Sequence, residues 1–266
     1  MALYSYMRYL GGKYYVAKHI ANHINGHGGT VYLEPFMGSC WVTAQAEYKH
    51  RIAGDYHDHL VELYHKVTHE GYEPPEFISK EEYDDIRAHR RDGKYPPELV
   101  AFAGFGSAFG GSYFRKYAGE IYAGRSRRSI LRKAQQLQGT QFFVADYKEL
   151  NPKGCVIYCD PPYEDCYIFR VTNVVGNPVF DSKTFWEVAD RWAEHNLVFV
   201  SELDAPKGWE CVMDVPVPAS VRTKEGCSIR HEKLFHKNRG VELVREDVID
   251  PIHILGVPAD WKGLKR

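Results

Sequence analysis

An α/β fold is predicted, with a mixed, mostly parallel sheet covered by helices and interrupted by an inserted, mainly helical lobe. Three observations predict it. Short apolar runs end in acidic or glycine-rich turns, helical segments with one apolar face lie between them, and the alternation lapses between residues 72 and 139. Lys13 to Ile24 has helical spacing with Val16, Ile20 and Ile24 on one face. Val31 to Cys40 is an apolar strand that turns sharply at Gly38, and Arg51 to Asp55 is a second short strand ending in a carboxylate. Asp58 to Thr68 repeats the helical pattern with Leu60, Leu63 and Val67. In the lapse, Pro74-Pro75 and Pro96-Pro97 punctuate helical pieces such as Ser79 to Arg91, where Ser79 and Glu82 fit a capping box. Alternation resumes with strands at Gln141 to Ala145, Val156 to Cys159 and Leu197 to Ser201, and a helix at Ser182 to His195. Val212 to Val217 and Glu232 to His236 read as paired strands bridged by residues 218–226. The predicted organisation is a catalytic domain of residues 1–71 and 140–266 around a lobe of residues 72–139.

The most informative stretch is Cys155 to Tyr163, an apolar run ending in Asp160-Pro161-Pro162-Tyr163. It suits methyl transfer to an exocyclic amino nitrogen. Such a nitrogen is a poor nucleophile because its lone pair is delocalised into the ring, so acceptors must be held against both N–H bonds. Asp160 supplies one and the carbonyl of Pro161 the other, on a turn that two prolines make stiff. Tyr163 offers a face for base stacking. Taken alone, Pro-Pro after a strand is also an ordinary loop starter. Two glycine-bearing segments add to it. Gly11-Gly12 and the Gly38 turn permit close backbone approach to a nucleotide-like ligand, and Asp55 can bind both hydroxyls of a ribose.

These segments together resemble the DNA adenine methyltransferases of the Dam type, including phage members. Arg8-Tyr9-Leu10-Gly11-Gly12-Lys13, Glu34-Pro35-Phe36-Met37-Gly38, Asp55, Phe143-Val144-Ala145-Asp146-Tyr147 and Asp160 to Tyr163 occur in that family's order across nearly the whole chain. The resemblance implies a Rossmann-like S-adenosylmethionine-dependent methyltransferase sheet, with the inserted lobe serving target recognition. It implies a cofactor pocket drawn from Tyr9, Leu10, Gly11, Gly12, Lys13, Glu34, Pro35, Phe36, Gly38, Ser39, Cys40, Asp55, Asp146, Tyr147 and Asp160. It assigns catalysis to Asp160, Pro161, Pro162 and Tyr163, acting on a flipped-out adenine of double-stranded DNA. Asp at the first motif position and the motif order favour adenine over Asn-led and Ser-led relatives. Cys40 departs from the family, which usually carries a second glycine there. A cognate restriction endonuclease is a partner the resemblance leaves open, as are the target sequence and the oligomeric state.

A net charge of −1 over 266 residues does not suggest a phosphate-binding protein, but the charges are unevenly distributed. Tyr113 to Lys133 holds Arg115, Lys116, Arg125, Arg127, Arg128, Arg132 and Lys133 against Glu120 alone, interleaved with Tyr113, Phe114, Tyr117 and Tyr122. Cations suit phosphate oxygens and aromatic rings suit bases. The glycines at 104, 106, 110, 111, 119 and 124 favour a shaped loop surface over a helix. Arg222, Lys224 and Arg230 add a second candidate DNA contact. The other reading of each group is a solvated cationic surface. No apolar run reaches the roughly 18 residues of a membrane span and the start lacks an apolar signal region, so a cytoplasmic protein without membrane contact is expected. The six cysteines lack Cys-x-x-Cys spacing and are expected as thiols; the histidine pairs 57/59 and 65/69 are expected to hold no metal. Three function classes stay open at this point: the adenine enzyme, an amino methyltransferase acting on cytosine or RNA, and a noncatalytic module or misread dinucleotide-binding oxidoreductase. The last lacks a Gly-x-Gly-x-x-Gly fingerprint at residues 36–42.

Overall fold

The computed structural model describes residues 9, 11–163, 180–223 and 226–265, with the backbone alone for 218–223 and 226–230. Its centre is a Rossmann-like sheet of seven strands: β1 (Val31–Glu34), β2 (His50–Asp55), β3 (Thr140–Val144), β4 (Val156–Cys159), β5 (Leu197–Ser201), β6 (Glu210–Thr223) and β7 (Gly226–Lys237). They lie in the order β3-β2-β1-β4-β5-β7-β6. The first five run parallel, β7 is antiparallel to β5, and β6 returns beside β7 as the edge strand. Every residue of β1, β4 and β5 is buried, as parallel strands covered on both faces require.

The helices are α1 (Ala17–Ile24), α2 (Asp58–His69), α3 (Lys80–Ala88), α4 (Pro97–Ala101), α5 (Ile121–Gln136), α6 (Ser182–Trp192) and α7 (Pro251–Leu255). Ser79 caps α3 by accepting from the Glu82 N–H at 3.0 Å, as the capping box predicts. His57 caps α2 with Nδ1, which accepts from the Leu60 N–H at 3.2 Å. Burial pulls the His57 imidazolium down to about 4, so the ring is neutral and free to accept. α1 starts later than its periodicity predicts: the Lys13 carbonyl accepts from the Val16 N–H at 3.0 Å and from the Ala17 N–H at 2.7 Å, and regular helix begins at Ala17. Among the described residues no helix is long and apolar enough to cross a membrane.

Two expectations are corrected. The hairpin pairs from Glu210↔His236 out to Thr223↔Gly226, so most of the bridge predicted at residues 218–226 is strand. Pro216 and Pro218 sit in it because β6 is an edge, where a missing N–H breaks no ladder. The basic, glycine-bearing segment is no loop throughout: α5 carries Gly124 together with Arg125, Arg127, Arg128, Arg132 and Lys133. Gly124 serves close packing, since a Cβ there would stand 3.1 Å from the Glu76 carbonyl. Nor do Tyr113 and Phe114 face solvent, for both are buried. They join Leu60, Ile78, Tyr83, Phe102 and Phe142 in one hydrophobic core that runs from the sheet into the lobe.

Gly104 is where this core is tightest. It lies in a buried π-helical turn, Phe102–Gly106, and a Cβ would stand 2.5 Å from the Tyr113 ring and 2.8 Å from that of Phe114. Gly104→Ala is expected to destabilise the protein by about 1–3 kcal/mol through overpacking. Urea titration of the two proteins measures this, and an unchanged midpoint would mean that the rings yield freely.

Candidate active site

Parallel strands present their carboxyl ends on one edge, and the crevice of such a sheet opens where the strand order reverses, here between β1 and β4. The predicted residues meet there. β1 ends at Glu34 and passes into the Pro35–Cys40 turn, β2 ends at Asp55, Asp146 follows β3, and Asp160 follows β4. Asp55 organises the turn: Oδ2 accepts from the Gly38 N–H at 3.0 Å and Oδ1 from the His57 N–H at 2.9 Å. Burial pushes its carboxyl up, against the pull of these amides. Gly38 has φ 42°. A Cβ there would meet the Tyr9 ring at 2.9 Å. Cys40, which stands where a glycine is expected by resemblance, is buried with φ 54°, so the chain retains the left-handed geometry at a cost of about 1–2 kcal/mol.

Beyond Asp55 a cavity of about 560 Å³ is lined by Tyr56, His57, Asp58, Arg91, Val144, Ala145, Asp146 and Glu149. This volume lies within the ordinary range of small-molecule sites. The carboxylates of Asp55, Asp146 and Asp160 make this edge acceptor-rich, which fits a cationic ligand bearing hydroxyl and amino groups.

Lys13 closes the β4 side. Its ammonium is 2.6 Å from Asp160 Oδ1, 3.1 Å from Glu232 Oε1 and 3.2 Å from the Gly11 carbonyl, and it lies 4.8 Å from the centroid of Tyr163. Burial disfavours this charge, but Asp160 and Glu232 outweigh it and hold the Lys13 ammonium above its ordinary range. The Tyr163 hydroxyl donates to Glu232 Oε1 at 2.5 Å. Tyr9 packs on Phe105 of the lobe, with centroids 5.2 Å apart. Glu232 was not among the residues expected from sequence, nor was Glu202, buried at the end of β5. A sequence signal existed for Glu232, an acid two positions from Leu234 and therefore on the same, inward face of a strand.

Other expected residues play supporting parts. Glu34 is buried and accepts from the hydroxyls of Tyr32, at 2.7 Å, and Thr43. Phe36 and Tyr147 pack on each other, 5.1 Å between centroids, and both pack on Phe185 in an aromatic cluster behind the turn. The Ser39 carbonyl accepts from Tyr64 at 2.9 Å and from Lys133. Lys133, expected to meet phosphate, is instead buried 3.6 Å from the Trp41 ring centroid, and burial pulls its ammonium down to about 7.

Of the other expected DNA contacts, Arg115, Lys116, Arg128 and Arg132 are exposed and Arg125 lies half-buried beside Tyr122. Arg127 is engaged within the protein, donating to the Pro74 carbonyl at 2.7 Å and pairing with Glu73 and Glu76. Arg115 and Lys116 share one loop with Phe109, which is 60% exposed; the Phe109 N–H donates to the Lys116 carbonyl at 2.7 Å. Leu10 and Lys224 lie outside the described residues, as do the side chains of Arg222 and Arg230.

Burial pushes the Glu34 carboxyl up to about 8, although the Thr43 and Tyr32 hydroxyls favour its ionised form. Between the usual glutamate range and pH 8 the folded state therefore binds the extra proton, and its contribution to stability is lost as pH rises through about 8. Glu34→Gln is expected to flatten the fall in stability between pH 5 and pH 8 by a few kcal/mol. Denaturant titrations at both pH values measure it; parallel curves for the two proteins would contradict it.

Residues 9–95 match the family model of D12 class N6 adenine-specific DNA methyltransferases, the amino-terminal third of the chain. No curated protein matches by sequence. Among solved structures, a proposed RNA methyltransferase of Pyrococcus horikoshii aligns at 10% identity over 83% of this chain and 79% of its own, with a TM-score of 0.39. The rRNA methyltransferase AviRa of Streptomyces viridochromogenes aligns at 11% identity over 89% and 88%, TM-score 0.38. A Thermoplasma acidophilum protein aligns at 11% identity over 85% and 88%, TM-score 0.39. These structural likenesses are too distant to bear on function. The family match does bear on it: S-adenosylmethionine is the cofactor, and the chain is an S-adenosylmethionine-dependent methyltransferase.

Proposed function

We propose that the protein methylates the N6 amino group of an adenine in duplex DNA at a specific site. The observation that carries this reading is Asp160-Pro161-Pro162-Tyr163 at the end of β4, on the same sheet edge as Asp55 and the Gly38 turn. The matched family is described by this reaction, which supports the choice of base and of nucleic acid. Bound in the crevice, S-adenosylmethionine supplies an electrophilic methyl group. Asp55, Asp146 and the Pro35–Cys40 turn are suited to hold it. Asp160 accepts one N–H of the target amino group and the Pro161 carbonyl the other, which localises the nitrogen lone pair. Lys13, held as a cation, pairs with Asp160 at 2.6 Å. Tyr163 provides the stacking face for the base. An amino group in a duplex lies within the stack, so the nucleotide must rotate out at a cost of a few kcal/mol, which these contacts offset.

Residues 72–139 are assigned target recognition. Arg115, Lys116, Arg128 and Arg132 form the phosphate track and Phe109 is the apolar tip beside it. Arg222, Lys224 and Arg230 of the hairpin are assigned to the DNA near the target base.

Incubating the protein with labelled S-adenosylmethionine and unmethylated duplex DNA, then resolving nucleosides, is expected to place label in N6-methyladenine. Label in cytosine or in RNA alone would overturn the choice of substrate. Asp160→Ala is expected to cut transfer by more than about 10²-fold while sparing cofactor affinity, whereas Asp55→Ala chiefly weakens cofactor binding. Near-full activity of Asp160→Ala would refute the acceptor role. Arg115→Ala with Lys116→Ala is expected to lower the salt slope of DNA binding by about two, and Arg127→Ala to leave it unchanged. The reverse pattern would remove Arg115 and Lys116 from the track and put Arg127 in it.

A further inference from the structure

Glu232 lies on β7, outside every motif of the sequence, and its side chain is 1% exposed. It shares the inward face of the strand with Leu234, which is fully buried. A carboxylate in such surroundings requires compensating donors. Its Oε1 receives two of them, the Lys13 ammonium at 3.1 Å and the Tyr163 hydroxyl at 2.5 Å. Both belong to side chains of the transfer site, for Lys13 is also 2.6 Å from Asp160. One oxygen on the antiparallel part of the sheet thus fastens two groups delivered by the amino-terminal turn and the β4 turn.

We propose that Glu232 is a positioning residue for methyl transfer, fixing the plane of the Tyr163 ring through its hydroxyl and sharing Lys13 so that Asp160 keeps a strong acceptor oxygen. The inference rests on the reading of this site as an amino methyltransferase centre. A tyrosine anchored only at Cβ sweeps through rotamers, whereas a hydrogen bond at the far end of the ring holds its face toward the base. Charge matters as well. Lys13 paired with Asp160 alone makes a neutral couple whose oxygens are weak acceptors. The second carboxylate leaves the trio with net negative charge beside the amino group. Glu202 adds to the same negative field around Tyr163.

Glu232→Gln keeps the side-chain volume and removes the charge. It is expected to lower kcat on duplex DNA about ten- to hundredfold, the scale set by slight misplacement of reacting groups, with S-adenosylmethionine affinity near wild type. In a duplex with 2-aminopurine at the target position, Glu232→Ala and Tyr163→Phe are expected to alter the bound-state fluorescence alike, and the double variant no further. Wild-type kcat in Glu232→Gln would overturn the role. So would a parallel loss of kcat, cofactor affinity and Tm in both Glu232 variants, which marks packing alone. Wild-type protein inert on every base would sink the parent reading and this role with it, whereas active wild type with an unaltered Glu232→Gln sinks the role alone.

Discussion

The buried ammonium of Lys13 is the interaction on which the rest of the site depends. A lysine withdrawn from water is tolerated only where opposite charge meets it, and here Asp160 does so from the turn after β4 and Glu232 from β7. The pairing joins the segment before α1, the turn after β4 and the antiparallel β7 into one rigid corner.

A second corner forms around Asp55. Its two oxygens are used by backbone amides of the Gly38 turn and of the approach to α2, so one carboxylate shapes two loops. Lys133 holds the same turn from below through the Ser39 carbonyl. Because Lys133 belongs to α5, the helix that carries Arg128 and Arg132 outward is packed directly under the Gly38 turn. The inserted lobe and the sheet share hydrophobic side chains as well as this contact, and the site is therefore built by both.

Much of the fold was legible in the chain. Strands β4 and β5 fall where the apolar runs place them, and the capping box at Ser79 does what its spacing implies, since such patterns depend on neighbours a few residues apart. Local signals mislead where distant contacts override local preference. Glycines 104 and 124 read as loop formers, yet each makes room for a neighbour far away in sequence, the Tyr113 ring in one case and the Glu76 carbonyl in the other. Tyr113, Phe114 and Lys133 read as DNA contacts by composition, and packing puts them inside.

The sequence by itself determined which chemical groups exist and in what order: acidic residues closing apolar strands, a stiff Asp-Pro-Pro-Tyr turn, and a glycine in the turn after the first strand. These follow from local sterics and hydrogen-bonding capacity, which are properties of short segments. Only the tertiary structure decided which of them meet. The order β3-β2-β1-β4-β5-β7-β6 brings Lys13, Asp160, Tyr163 and Glu232 together across more than 200 positions of sequence. It also divides one basic stretch into exposed cations, the Arg127 clamp and the buried Lys133. Burial and charge pairing fix those fates, and both depend on what the folded chain places opposite each side chain.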